Sequence, residues 1–236
     1  MNAFILKIIA MVFMVFDHLA SYIGGMPVWF PWVGRVVAPI FMFFLVEGFY
    51  HTRNRNKYMI RLFKWAAIMA LGSFILRITI PSSQPVNNNI FLSFTLGIAM
   101  LMSIDYIKKT KNYIIGIPIF ILTVALSFFT EASIFGVMSI LIFYFFRGNK
   151  IKLSLVYIIT SLLVTSFFNT ILTFDTQIIY ESLFLFDPQW MQIFSLVFIL
   201  SYNGERGPNS KSSKYLFYIF YPTHLWIISL LAMYIK

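Results

Sequence analysis

Few of the 236 residues can do acid–base or ionic chemistry inside a long apolar run, and they stand out: Asp17, His18, Arg35, Glu47 and His224. A charged side chain at the centre of a membrane helix costs about 2.5–3.5 kcal/mol on insertion scales, so one that is kept faces the bundle interior and has a partner there. Imidazole titrates near neutrality, the property a general base needs. Lys7 and His18 lie eleven steps apart in the chain. On an α-helix that spacing puts them within about 20° of one face and about 16 Å apart along the axis. One reading is a channel for a long anionic ligand, with its phosphates near Lys7 and its reactive end near His18. The other is a snorkelling lysine and a histidine satisfied inside a bundle.

Asp17 and His18 are neighbours, so on a helix they point about 100° apart and do not form an acid–base dyad by themselves. Asp17 is expected to pair with another helix, and Arg35 is its natural partner. The pair can fix two helices, shape a site, or do both. Glu47 and His51 are four residues apart and share a helix face. They run into Arg53, Arg55 and Lys57. A basic lip of this kind binds nucleotide phosphates or faces anionic lipid. His224 closes the run Phe220-Tyr221-Pro222-Thr223-His224. Pro222 withholds a helical donor, and kinked helices that carry a polar group often line cavities. The alternative is a core histidine with its hydrogen bonds made.

The elements that hold these residues follow from composition. Apolar residues make up 60% of the chain and charged ones 11%, with 28 Phe, 13 Tyr and 12 Met; a soluble domain is about 25% charged. The apolar stretches are continuous and do not alternate with period two, which excludes a porin-type barrel. There is no cysteine, hence no disulfide, thiol nucleophile or thiolate metal site. Windows of about 20 apolar residues predict an all-α polytopic bundle of about nine spans, near 4–23, 31–50, 58–79, 89–105, 113–130, 133–147, 153–173, 187–203 and 215–235. Together they form one integral-membrane domain, 1–236. The first run is too long and continuous for a cleaved signal peptide, and 174–186 is expected to lie along the interface.

Basic residues alternate between loops. Arg53, Arg55, Lys57, Arg61 and Lys64 surround the second loop. Lys108, Lys109 and Lys111 are in the fourth, Arg147, Lys150 and Lys152 in the sixth, and Arg206, Lys211 and Lys214 in the eighth. The odd loops 24–30, 80–88, 131–133 and 174–186 hold none. By the positive-inside rule the N-terminus is cytoplasmic and the C-terminus outside. The net charge of +10 is thus topology and not a nucleic-acid face. Trp29, Trp32 and Trp190 are expected in the outer aromatic belt.

The stretch 34–66, GRVVAPIFMFFLVEGFYHTRNRNKYMIRLFKWA, resembles the signature of the TraX family, the F-pilin acetylase type. So do Asp17-His18, Tyr202-Asn203-Gly204 followed by Gly207, and KYLFYIFYPTHL at 214–225. The resemblance covers both ends of the chain; 105–200 matches only as a hydrophobic pattern. It is similar in plan to the wider transmembrane acyltransferases, including lysosomal heparan acetyltransferases, which place a basic residue before a first-helix histidine as Lys7 stands before His18.

The resemblance implies an acetyltransferase of the bacterial cytoplasmic membrane. Acetyl-CoA would bind from the cytoplasm as co-substrate, with no metal. Its pantetheine arm would thread the bundle, and an amine or hydroxyl acceptor on a peptide, protein or glycan would arrive from outside, a peptide or protein N-terminal amine being favoured. His18 would be the base, with Asp17 and Arg35 beside it. Lys7, Arg53, Arg55 and Lys57 would neutralise CoA phosphates, with Glu47 and His51 shaping that lip. Asn203, Tyr221 and His224 would line the pore. Two rivals stay open: a proton-coupled transporter or flippase using Asp17, Glu47 and His224 as a relay, and a scaffold whose buried charges only pair with one another.

Overall fold

In the computed structural model, residues 1–81, 83–208 and 210–235 are described; the side chain of Lys211, counted above in the eighth loop, lies outside them. The elements are α1 (Ala3–Tyr22), α2 (Trp29–Gly34), α3 (Val37–His51), α4 (Arg55–Thr79), α5 (Ile90–Thr110), α6 (Tyr113–Ser127), α7 (Ser133–Phe145), α8 (Lys150–Val164), α9 (Phe167–Ile171) and α10 (Thr176–Tyr180). A π turn (Glu181–Phe186) and a 3-10 segment (Pro188–Phe194) lead into α11 (Ser195–Leu200), and α12 is Lys211–Leu231. No strand occurs among the described residues.

The polar residues that flank the apolar runs begin the helices. Asn2, Asn54, Asn89, Asn112 and Asn149 each accept a backbone N–H from the first turn of α1, α4, α5, α6 and α8. An asparagine there satisfies one of the four N–H groups that a helix start leaves without a partner. Within the helices, Phe63, Leu71, Phe74 and Ile78 of α4 and Ile114, Ile121 and Leu122 of α6 are exposed, while Ser93, Thr95, Gly97 and Ser103 of α5 are buried. Apolar outward and small or polar inward is the arrangement that a hydrocarbon solvent selects.

Among the described residues four stretches are long and apolar enough to cross a membrane: Ala3–Tyr22, Trp29–His51, Arg55–Thr79 and Ile90–Thr110. A fifth forms if Thr176–Phe186 and Pro188–Leu200, bent by 69°, are taken as one broken span. The runs expected at 113–130 and 133–147 are helices of 15 and 13 residues. The run expected at 153–173 breaks after Val164, where Ser166 turns its hydroxyl to the Asp187 carboxylate, 2.7 Å away. Of residues 174–186, Thr176–Tyr180 and Glu181–Phe186 are helical, so the stretch is not a free loop. The run at 31–50 is interrupted between Gly34 and Val37. Pro39 has no N–H to give the Arg35 carbonyl, so the ladder cannot pass through that point unbroken. Nine crossings are thus more than the helix lengths support by themselves.

The chain divides into two compact units. The first comprises Met1–Phe41, a short stretch ending at Val86, and Phe145–Lys236. In it α1 packs on α2 and α12, and the 3-10 segment packs on α2 and α8. The loop before α12 holds the start of α1: the Ala3 N–H donates to the Glu205 carbonyl at 2.8 Å, and the Asn203 N–H to the Met1 carbonyl at 3.0 Å. Helices α1 and α12 therefore start at the same end and run side by side, through Phe4 against Phe217 and on to His18 against His224. The second unit comprises Met42–Pro81 and Asn87–Tyr144, with α5 packed between α4 and α6.

Candidate functional site

The first unit brings His18 and His224 together from opposite ends of the sequence. Both are buried, at 5% and 7% exposure, so neither ring faces lipid. His18 Nδ1 and His224 Nε2 are 2.7 Å apart. The two rings lie nearly parallel, and Phe220 stacks on His224 with centroids 4.7 Å apart. Tyr221, also buried, meets His224 edge-on.

The hydrogen bonds of this pair fix its protons. His224 Nδ1 lies 2.8 Å from the Phe220 carbonyl. A carbonyl only accepts, so His224 Nδ1 carries a hydrogen and donates it. Neutral His224 then has its lone pair on Nε2, which accepts from His18 Nδ1–H. Neutral His18 is left with its lone pair on Nε2. One backbone carbonyl thus sets two tautomers and leaves a basic nitrogen on the first helix.

One residue back, Asp17 points the other way, as the 100° step requires. Arg35 Nη2 donates to Asp17 Oδ1 at 2.8 Å, the pair expected from the sequence. Arg35 also reaches the Pro31 carbonyl through Nε at 3.3 Å and the Gln189 side-chain oxygen through Nη1 at 3.2 Å. Gly34 is what lets α2 come this close: a Cβ there would stand 2.1 Å from Asp17 Oδ1. The bonds of Asp17 to Arg35 at the end of α2 and of His18 to His224 of α12 together fix the rotation of α1 about its axis.

Lys7 sits half-buried on the same side of α1 as His18, its ammonium 5.3 Å from the centre of the Phe217 ring on α12. Asn203 is exposed; its side chain accepts the Glu205 N–H and donates to the Glu205 carboxylate, which shapes the loop at the start of α1. The other predicted residues belong to the second unit. Glu47 and the exposed His51 meet at 3.4 Å on the end of α3, as their spacing required. Arg53 and Lys57 are exposed. Arg55 is engaged: it pairs with Asp105 and lies over the Phe49 ring, 4.0 Å from its centroid. Asp105 also accepts from the Tyr144 hydroxyl, to which Lys108 donates at 3.1 Å.

Asp105, Gly34, Gln189 and Gln192 are not among the residues that the sequence reading singled out. Asp105 lies at the margin of a predicted span, where charge is unremarkable. The glutamines are neutral, so a search for charge passes over them; their signal is the spacing of three that follows Asp187-Pro188. Among the described residues no three His, Asp or Glu side chains converge as a metal ion would need.

The TraX protein family model matches residues 3–232, nearly the whole chain. The chain belongs to the TraX family. It is 28% identical over 250 residues to a protein of Dichelobacter nodosus named as a probable fimbrial assembly protein FimC of serogroup H1, an alignment that covers 100% of this chain and 97% of the relative. No solved structure matches. The family match extends through 105–200, where the sequence motifs fall silent.

Proposed function

We propose that this TraX-family chain transfers an acetyl group from cytoplasmic acetyl-CoA to an acceptor on the outer face of the bacterial cytoplasmic membrane. The observation that carries the reading is the buried His18–His224 pair, held so that His18 Nε2 keeps a lone pair. In the reaction His18 Nε2 removes a proton from the acceptor nitrogen or oxygen as that atom attacks the thioester carbonyl. The carbon–sulfur bond breaks, and the proton leaves with the CoA thiolate. While His18 is cationic, its Nδ1–H donates to neutral His224, a charge-assisted hydrogen bond that stabilises the imidazolium. Arg35, bonded to Asp17, Pro31 and Gln189, positions α1, and its two remaining N–H groups are the ones it could offer to an oxyanion.

Lys7 lies one stripe along α1 from His18, where it would meet the phosphates of a donor entering at the start of the helix. The donor is a co-substrate, and no metal takes part. An odd number of crossings with the N-terminus in the cytoplasm goes with this reading, because α1 and α12 start at one end. The name of the Dichelobacter relative favours a protein acceptor, such as a subunit of a surface fibre, over a glycan. The test is reconstitution: vesicles with radiolabelled acetyl-CoA on one side and a panel of peptide amines and sugar hydroxyls on the other. Label on an acceptor across the membrane supports the reading, and acceptor flux without acetyl-CoA would favour the transporter instead.

A further inference from the structure

Helix α8 and the 3-10 segment with α11 run antiparallel. Lys150 Nζ reaches the Leu200 carbonyl at 3.3 Å, and Ser166 Oγ reaches Asp187 Oδ2 at 2.7 Å. Counting inward from those two contacts sets Ser161 level with Gln192. The buried face of α8 carries Ser161, and the buried face opposite carries Gln192 and Ser195. All three residues are 0% exposed. Ser161 Oγ, Ser195 Oγ and Gln192 Nε2 have no hydrogen-bond partner in the protein. Buried polar groups are rarely left so, and in an apolar surrounding each such group is costly. Three at one seam mark a place where something else supplies the partners.

The bonding leading to the seam fixes what each group offers. Arginine only donates, so Gln189 must turn its oxygen to Arg35. That leaves the Gln189 Nε2 donor facing Gln192, whose oxygen accepts at 3.4 Å. Gln192 therefore presents an N–H to the seam. The two hydroxyls can donate or accept. No charged residue stands among them, so phosphate, carboxylate and ammonium do not fit. A secondary amide does, with its carbonyl on Gln192 Nε2 and its N–H on a serine oxygen. The line Asp17–Arg35–Gln189–Gln192 ties the seam to the residue beside His18. The adjoining π turn and 3-10 segment are the irregular helix that membrane proteins keep where backbone lines a cavity.

We infer that the seam of Ser161, Gln192 and Ser195 is a binding site for a neutral chain carrying secondary amides. Resting on the acetyl-transfer reading, two substrates carry that group: the pantetheine arm of the donor and the main chain of a peptide acceptor. The seam holds one of them, joined through Gln189 and Arg35 to Asp17 beside His18.

The experiment measures melting of the purified protein in detergent with pantetheine, with N-acetyl-trialanine amide, and with an amide-free ether of similar length. One of the two amide probes raises the melting temperature and the ether does not; the probe that works names the source. The shift falls by at least half in Ser161→Ala, in Ser195→Ala and in Gln192→Leu. The alanine variants melt no lower than the parent when no probe is present, because each removes an unsatisfied hydroxyl; they keep the test valid if Gln192→Leu does not fold. If neither probe shifts the melt, or the shift is the same in all variants, the seam holds only water and the inference is overturned. A probe shift that depends on these residues, in a protein that transfers no acetyl group, would sink the acetyl-transfer reading and leave the amide site standing.

Discussion

At the scale of single residues, the account turns on which nitrogen of His18 is basic. His18→Ala is expected to lower kcat by about 10²–10⁴-fold, the range of one general base. His224→Ala should cost less, about 10- to 150-fold, because it removes one charge-assisted hydrogen bond of about 1.5–3 kcal/mol. Single-turnover transfer in detergent separates the two. The Glu47–His51 pair was legible because helix geometry fixes where fourth neighbours point, and the Asp17–Arg35 pair because a carboxylate inside a span needs a cation and Arg35 falls at the same depth of the following helix. His18 and His224 were each legible as candidates. Their meeting was not, since they are 206 residues apart and nothing in one sequence says which helices touch. Gln189 and Gln192 escaped because an uncharged amide carries no insertion cost large enough to draw attention.

At the scale of elements, Gly34 is the joint between α1 and α2. Gly34→Ala would push a methyl group into the Asp17 carboxyl, and overpacking of this kind costs about 1–3 kcal/mol. The melting temperature should fall, and Asp17→Ala should relieve much of the loss in the double variant, since residues in contact couple by about 0.5–3 kcal/mol. Additive losses would mean that α1 and α2 do not meet at this point. The helices themselves were legible from apolar runs, while the asparagines that begin five of them came only with the structure. Their breaks were less so. Pro39 and the Thr165-Ser166 pair each interrupt what reads as one run, and hydropathy averaged over a window is blind to a single missing donor. The break at Asp187-Pro188 was legible, since a run was expected to begin at 187 with 174–186 set apart from it; the 69° bend there was not, because apolar content carries no angle.

At the scale of the whole molecule, composition alone identified a membrane protein and excluded soluble, barrel and disulfide-built classes. The crossing number is a question of topology, and the chain suits its own test because it has no cysteine. A lone cysteine in place of Ser212, at the start of α12, should react with an impermeant maleimide only from the cytoplasmic side, and one in place of Tyr234 only from outside. Labelling of both from one side would contradict an odd number of crossings. The most direct test of the central claim uses sealed vesicles with radiolabelled acetyl-CoA on the cytoplasmic side and an amine peptide outside. The account predicts labelled peptide with the native chain and almost none with His18→Ala, while both proteins fold and bind CoA. Full labelling by His18→Ala would contradict it.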